Sequence, residues 1–128
     1  MGLDVSFIKR EEIKYYRKVN FFVTYFDIQD EDNGRDRCIS KEELTEFVAD
    51  LKIELKLYKG RCAEQEKDGN IEVPPINPKF NTCELPFGGS TKYTIEYWED
   101  MQDAYNWAKD QLERFKWDSC TMAINCWW

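Results

Sequence analysis

The chain has 128 residues, of which 42% are hydrophobic, and a net charge of −7. This length and composition exclude a disordered tail and indicate a single domain, residues 1–128, with a core of its own. The charge disfavours DNA, RNA and anionic membranes as direct ligands, because a phosphate-binding surface needs clustered Lys and Arg, and we predict neither a nucleic acid nor a membrane as partner. It favours a partner protein with a basic surface.

The sequence predicts a cytoplasmic protein without a cofactor. No run approaches the roughly 20 apolar residues of a membrane span, and the N-terminus, MGLDVSFIKR, lacks the apolar stretch of a signal peptide. The five Cys form no C-x-x-C pair, and there is no His. We therefore expect reduced thiols that mainly pack. A zinc site of Cys62, Cys83 and carboxylates is an alternative, although its spacing matches no strong pattern.

The N-terminal segment predicts a strand followed by a helix. Leu3, Val5 and Phe7 alternate with polar residues, which is the period of a half-buried strand. Residues 12–29 then carry apolar side chains at helical spacing, which predicts a helix buried on more than one face. The apolar positions of that helix are Val19, Phe22, Val23 and Phe26, with Phe21 and Tyr25 on its other side.

A polar segment, residues 30–36, predicts a turn around Asn33-Gly34. The same region resembles a calcium loop, since Asp32, Asp36 and Glu43 occupy positions 1, 5 and 12 of an EF-hand. Gly34 brings no side-chain oxygen to position 3, however, and Arg37 replaces the turn Gly at position 6. We favour a turn, a short extended Cys38-Ile39 and a helix start, and so predict no metal.

Ser40-Lys41-Glu42-Glu43 is a capping box that predicts the start of a second helix. Ile53 and Leu57 fall on its polar side, where either a loop covers them or a partner meets them. The predicted core face consists of Leu44, Phe47, Val48, Leu51 and Leu55.

Residues 59–91 lack helical periodicity and predict a long irregular segment. Asn70–Val73 within it is a candidate edge strand. At its end, Leu85-Pro-Phe-Gly-Gly-Ser-Thr91 resembles a phosphate-binding turn, but it lacks the Lys and the spacing of a Walker motif. We interpret it as the turn that starts the next helix, with Ser90, Thr91 or Thr94 as the cap.

A third helix is predicted over residues 94–115. Its core seam steps by three and four residues through Trp98, Met101, Tyr105, Ala108, Leu112 and Phe115. Five carboxylates share the opposite arc, and Trp107 falls among them. A Trp among carboxylates is typical of a protein interface, because a partner can bury the Trp while the carboxylates attract a basic surface. The alternative is that the 59–91 segment covers Trp107 and that the carboxylates are simply solvated. We define this predicted partner-binding surface, the acidic arc, as Glu96, Glu99, Asp100, Asp103, Trp107 and Asp110.

The C-terminal residues 120–128 alternate and predict a last strand, with Cys120, Met122, Ile124 and Cys126 on one face. The elements together predict an α+β fold, in which three helices pack on a small sheet formed mainly by the N- and C-terminal strands. Without His, acid–base chemistry would fall to carboxylates, Tyr or Cys, and no pair stands out. We therefore predict a protein that is not an enzyme.

A second hypothesis is a small-ligand, nucleotide-like site beneath the 59–91 segment. Its aromatic residues and glycine turn would bind or sequester the ligand. The residues assigned to this alternative site are Phe87, Gly88, Gly89, Ser90, Tyr93 and Trp98.

The chain resembles a group of short phage- and prophage-encoded proteins. The shared landmarks are Met1-Gly2-Leu3-Asp4, Tyr15-Tyr16-Arg17-Lys18-Val19-Asn20, Ile39-Ser40-Lys41-Glu42-Glu43-Leu44, Phe87-Gly88-Gly89-Ser90-Thr91-Lys92-Tyr93 and Tyr97-Trp98-Glu99-Asp100. They keep their order over nearly the whole chain, which ends, as in the group, on an aromatic strand with a terminal Trp. The extra Gly in the turn and the Cys-Trp-Trp ending depart from the pattern.

This resemblance implies a phage-derived product that acts in a bacterial cytoplasm, but it carries over no catalytic residue. Small acidic phage proteins often bind and block a host factor. The resemblance therefore implies a non-enzymatic protein-binding module that inhibits a host defence or nucleic-acid-handling protein.

Overall fold

The computed structural model describes residues 3–8, 12–17, 19–61, 72–83 and 91–127. The chain forms two compact units. The first consists of residues 1–40, 79–91 and 116–128, and contains the sheet and a short helix. The second consists of residues 41–78 and 92–115, and contains two long helices.

A four-stranded sheet organises the first unit. Its strands are β1 (Asp4–Ile8), β2 (Glu12–Arg17), β3 (Asp36–Ile39) and β4 (Met122–Trp127), in the order β2-β1-β4-β3. Every neighbouring pair is antiparallel. The two central strands come from the two ends of the described chain, so the predicted α+β fold and its sheet of terminal strands are confirmed.

The register of β1 against β4 places apolar side chains opposite each other. Val5 pairs with Cys126 and Phe7 pairs with Ile124, and all four side chains are buried. A shift of β4 by one residue against β1 would turn its buried side chains to the other face of the sheet, so this alternation specifies the register.

The helix predicted over residues 12–29 is wrong in its first half. Residues Glu12–Arg17 form β2, and the helix that the described residues of this stretch form is α1, Phe21–Tyr25. The isoleucine and the tyrosines of EIKYYR have high β propensity, and β1 offers them a partner, with Tyr16 opposite Val5. The apolar residues Val19 to Phe26 were assigned to the core correctly, since Val19, Phe22 and Phe26 are buried.

Aromatic rings fill the core of the first unit. Phe22 meets Phe7 edge-on at a centroid distance of 5.5 Å and lies 5.0 Å from Tyr16. Phe80 brings the 79–83 segment into the same unit, where it stacks on Tyr25 at 5.1 Å. Such aromatic pairs add to the free energy gained from area burial alone.

The turn around Asn33-Gly34 is confirmed and lies against the end of β4. Gly34 has φ = 77°, a left-handed conformation that favours glycine, and its N–H donates to the Cys126 carbonyl at 2.7 Å. Asp32 accepts from the Gln29 N–H, and Asp36 accepts from the Asn125 amide. Two of the proposed calcium ligands, Asp32 and Asp36, therefore already accept hydrogen bonds from the chain itself. In addition, residues Asp36–Ile39 form strand β3, where an EF-hand would continue as a loop.

A buried asparagine holds the 79–83 segment. Asn20 donates from its amide to the Cys83 carbonyl at 2.8 Å, and its Oδ1 accepts from the Cys83 N–H at 2.7 Å. The side chain thus satisfies both backbone groups of one residue, as a neighbouring strand would.

Two long helices form the second unit, α2 (Lys41–Arg61) and α3 (Ile95–Arg114), and they pack against each other. Both predicted helices are confirmed. Leu44, Phe47, Leu51 and Leu55 of α2 are buried, while Val48 is half-buried.

The core face of α3 differs from the predicted seam. Tyr105, Leu112 and Phe115 are only half-buried, whereas Tyr97 and Ala104 were missed. The buried residues of α3 are Tyr97, Trp98, Met101, Ala104 and Ala108.

The irregular 72–78 segment is tied to both helices of its unit. Glu54 is 1% exposed, and its carboxylate accepts from the Ile76 N–H at 3.1 Å and the Asn77 N–H at 2.6 Å. The Val73 N–H donates to the Tyr93 carbonyl at 2.9 Å.

The edge strand proposed for Asn70–Val73 is not formed by its described residues. Glu72 and Val73 have irregular backbone; residues 70 and 71 lie outside the described ranges. The outer strands of the sheet are instead β2 and β3. None of the described helices has the length and apolar character needed to cross a bilayer.

Removal of the Glu54 carboxylate should destabilise the fold. Glu54→Ala leaves two backbone donors without their acceptor, and we expect the free energy of unfolding to fall by about 2–3 kcal/mol. Glu54→Gln keeps one acceptor oxygen but turns an NH₂ group toward the second donor, so a loss of about 1–2 kcal/mol is expected. Urea denaturation measures both, with exposed Glu46→Ala as a control within about 0.5 kcal/mol. Equal stability of Glu54→Ala and the control would contradict this role.

The Asn20 bonds predict a pH-dependent variant. Asn20→Asp keeps the acceptor for the Cys83 N–H but sets a carboxylate oxygen against the Cys83 carbonyl. We expect a loss of about 2–3 kcal/mol at pH 7, and a smaller loss at pH 4, where a protonated carboxyl can donate again. Urea denaturation at both values is the test, with exposed Asn81→Asp as the matched control. A loss that is the same at both pH values would count against the donor role of Asn20.

Candidate protein-binding surface

Trp98 organises the region where α2 meets the start of α3. Its ring stacks on Tyr58 with centroids 4.1 Å apart and planes at 8°, and its indole N–H donates to the Val73 carbonyl at 2.9 Å. At 3% exposure and with its polar atom bonded, Trp98 is held in one orientation.

Two tyrosines extend this aromatic cluster. Tyr97 meets Trp98 edge-on at 5.1 Å and Tyr93 meets Tyr97 edge-on at 5.1 Å. Burial raises the pKa of Tyr97 above its ordinary value, and the neighbouring Tyr93 and Glu54 add to the effect. Tyr97 therefore stays protonated at neutral pH and acts as a packing group.

An open groove lies beside the cluster, between α2 and α3, with a volume of about 210 Å³. We call it the α2–α3 groove. Leu55, Tyr58 and Lys59 line it from α2. Ile95, Trp98, Glu99 and Gln102 line it from α3.

The acidic arc runs along α3 next to this groove. Glu96, Glu99 and Asp103 are exposed, while Asp100 is half-buried. Asp110 differs from the others, because its carboxylate pairs with Arg114 at 2.8 Å one turn along the helix. Such an exposed pair contributes little to stability, yet it neutralises one charge of the arc.

The carboxylates of the arc lie close enough to repel each other. Partial burial, followed by the charges of Asp103, Glu96 and Glu99, raises the pKa of Asp100 to about 6. An isolated Asp titrates near 4. Four carboxylates therefore lie together on the first turns of α3, where the ionised form of Asp100 is disfavoured.

Trp107 follows on the same arc and is half-buried. It is thus neither enclosed in the core nor fully exposed. Trp107 lies about two turns beyond Asp100 and one turn beyond Asp103 on α3, so it shares the arc with those carboxylates.

Of the six residues of the alternative ligand site, the structure describes two, Tyr93 and Trp98. Phe87 and the turn residues 88–90 lie outside the described ranges. Trp98 lines the groove, but Tyr93 does not. Trp98, from the alternative ligand site, and Glu99, from the acidic arc, line the same groove.

Sequence reasoning missed the groove itself. Ile95, Trp98 and Gln102 stand at i, i+3 and i+7, and Leu55, Tyr58 and Lys59 at i, i+3 and i+4. Both spacings mark one helical stripe, and the signal was present in Ile95, an apolar residue at the start of an acidic helix. That the two stripes face each other depends on the tertiary structure.

The thiols of the described residues are free. Burial, with smaller effects of Asp32 and Cys83, raises the pKa of Cys126 to about 12, so this thiol stays protonated and packs as an apolar group. Cys62, half of the zinc alternative, lies outside the described ranges. Within those ranges, no three Cys, Asp or Glu side chains converge as metal ligands.

The raised pKa of Asp100 predicts a pH-dependent gain in stability on its neutralisation. The folded protein binds this proton up to about pH 6, whereas the unfolded chain loses it near ~4. The ionised group therefore destabilises the fold increasingly as the pH rises between these values, and fully above them. Because the group is partly exposed, we expect Asp100→Asn to stabilise by only about 1 kcal/mol at pH 7.5, or about 2–4 °C in Tm.

Calorimetry at pH 7.5 and pH 4 tests this effect. The gain in Tm should be much smaller at pH 4, where the Asp100 carboxyl is protonated in the folded protein and about half protonated in the unfolded chain. Glu113→Gln, an exposed change near the other end of α3, serves as the control and should show no such dependence. A gain for Asp100→Asn that is equal at the two pH values would argue for a packing effect instead.

No protein-family model, curated protein or solved structure matches this chain.

Proposed function

We propose that the protein is a non-enzymatic binding module that docks on a basic surface of another protein through the acidic arc. In line with the phage resemblance of the sequence, the partner is a host protein of the bacterial cytoplasm, such as a defence or nucleic-acid-handling factor, and binding inhibits it. A basic host protein that itself binds nucleic acid presents the charge that this surface complements.

The clustering of Glu96, Glu99, Asp100 and Asp103 on the first turns of α3 is the observation that carries this proposal. Asp100 has its pKa raised by burial and by Asp103, Glu96 and Glu99. A partner that brings Lys or Arg to this face relieves the repulsion between the carboxylates, and this relief contributes to the free energy of binding. Opposite charges also accelerate encounter and exclude acidic partners.

The small-ligand alternative has one observation in its favour, the open groove beside Trp98. Its volume of about 210 Å³ lies below the roughly 300 Å³ where pockets for drug-sized ligands begin. A nucleotide phosphate would also meet Glu99 at the rim. Thermal-shift measurements with nucleotides test this alternative, because a bound ligand raises Tm by mass action.

Charge reversal of the arc should abolish partner capture. Glu96→Lys, Glu99→Lys and Asp103→Lys combined place cations where the partner's cations approach, so recovery of the partner should fall on the order of tenfold or more. The measurement is affinity purification from bacterial lysate with mass spectrometry, followed by titration calorimetry with the purified partner. The wild-type interaction should weaken as salt is raised.

The matched control reverses three exposed acids away from the arc, Glu31→Lys, Glu113→Lys and Asp118→Lys. It carries the same change in net charge and should keep the partner. If the arc variant and this control retain the same proteins in equal amounts, the arc is not the binding surface.

A further inference from the structure

The α2–α3 groove leaves apolar surface open to solvent. Ile95 is the first residue of α3 and is 51% exposed. Together with Leu55 and the Tyr58–Trp98 stack it makes a largely apolar lining. Because Trp98 is also bonded to Val73, this lining is fixed before anything binds, which lowers the entropic cost of binding.

The size of the groove suits a side chain better than a whole ligand. About 210 Å³ is short of the roughly 300–1,000 Å³ typical of small-molecule sites. Interface anchors, by contrast, are single aromatic or aliphatic side chains that fill a preformed pocket.

The charges around the groove are unequal on its two sides. On the α3 side, Glu99 lines the groove and also belongs to the acidic arc, and Glu96 directly follows Ile95. On the α2 side stands Lys59. A second copy of this chain would bring its own net charge of −7, so the electrostatics oppose it and favour a basic occupant.

We infer that the groove receives one large apolar side chain from a basic peptide segment, whose neighbouring Lys and Arg side chains face the acidic arc. The inference deepens the proposed function and rests on it, since the arc supplies the charge that orients the segment. The apolar anchor supplies short-range specificity, because only a segment that carries both features satisfies groove and arc together.

Two fluorescein-labelled peptides test the anchor. In the first, one Phe is flanked on each side by alternating Ala and Lys; in the second, Ala replaces that Phe. Fluorescence anisotropy should show Kd for the Phe peptide about tenfold lower than for the Ala peptide, as for an interface anchor.

The matched protein variants are Ile95→Ser and Ile53→Ser. Both residues are exposed isoleucines on helices of the same unit, but Ile53, at 60% exposure, does not line the groove. Ile95→Ser should weaken binding of the Phe peptide about fivefold and leave the Ala peptide unchanged. Ile53→Ser should change neither, and circular dichroism confirms that both variants fold.

Four results would overturn the inference: equal Kd values for the two peptides, equal effects of the two Ser variants, no binding of the Phe peptide at millimolar concentration, or its displacement by a nucleotide. Analytical sedimentation tests whether a second copy of the chain occupies the groove instead. A wild-type dimer that Ile95→Ser abolishes would assign the groove to a second copy of the chain.

The failure of the inference and that of the proposed function give different results. Glu96→Lys with Glu99→Lys should weaken both peptides by a similar factor, since each carries the same Lys residues. If the Phe peptide still binds more tightly but this charge reversal changes neither Kd, the groove is supported as an anchor site and the acidic arc is contradicted as a binding surface. If the reversal raises Kd for both peptides but the two wild-type Kd values are equal, the acidic arc is supported as a binding surface and the groove is contradicted as an anchor site.

Discussion

The pairing of β1 with β4 is the constraint on which the first unit depends. It places residues from near the two ends of the chain in adjacent central strands, with Val5 against Cys126 and Phe7 against Ile124. The other two strands, β2 and β3, lie between them in sequence and form the edges of the sheet. Non-local pairing of this kind needs a well-specified register, which the alternating buried side chains of both strands supply.

The second unit depends on polar groups that hold an irregular segment against two helices. Glu54 binds the N–H groups of Ile76 and Asn77, and Trp98 binds the carbonyl of Val73. These bonds satisfy backbone groups that have no helix or strand partner. They also immobilise Trp98, whose ring lines the groove, so packing and candidate site are parts of one arrangement.

The acidic arc lowers stability at the place where we propose that it binds. Like charges one turn apart on a helix destabilise by a few tenths of a kcal/mol per pair. The pKa of Asp100 is raised first by partial burial and then by the charges of Asp103, Glu96 and Glu99. Glu96, in the first turn of α3, offsets a small part of this loss of stability through its interaction with the positive end of the helix dipole. A surface that stays unfavourable in the free protein is typical of functional sites, where recognition and stability make opposite demands.

The sequence by itself determined the elements whose signal is local. The alternation in β1 and β4, the capping box and apolar stripe of α2, and the acidic arc of α3 follow from spacing alone, because side chains three or four apart share a helical face and side chains two apart share a strand face. Only the tertiary structure decided that residues 12–17 form a strand, that Glu54 is buried, and that Ile95 meets Leu55 across a groove. Each of these depends on a contact between different segments of the chain, and periodicity within one element carries no information about the element that lies opposite.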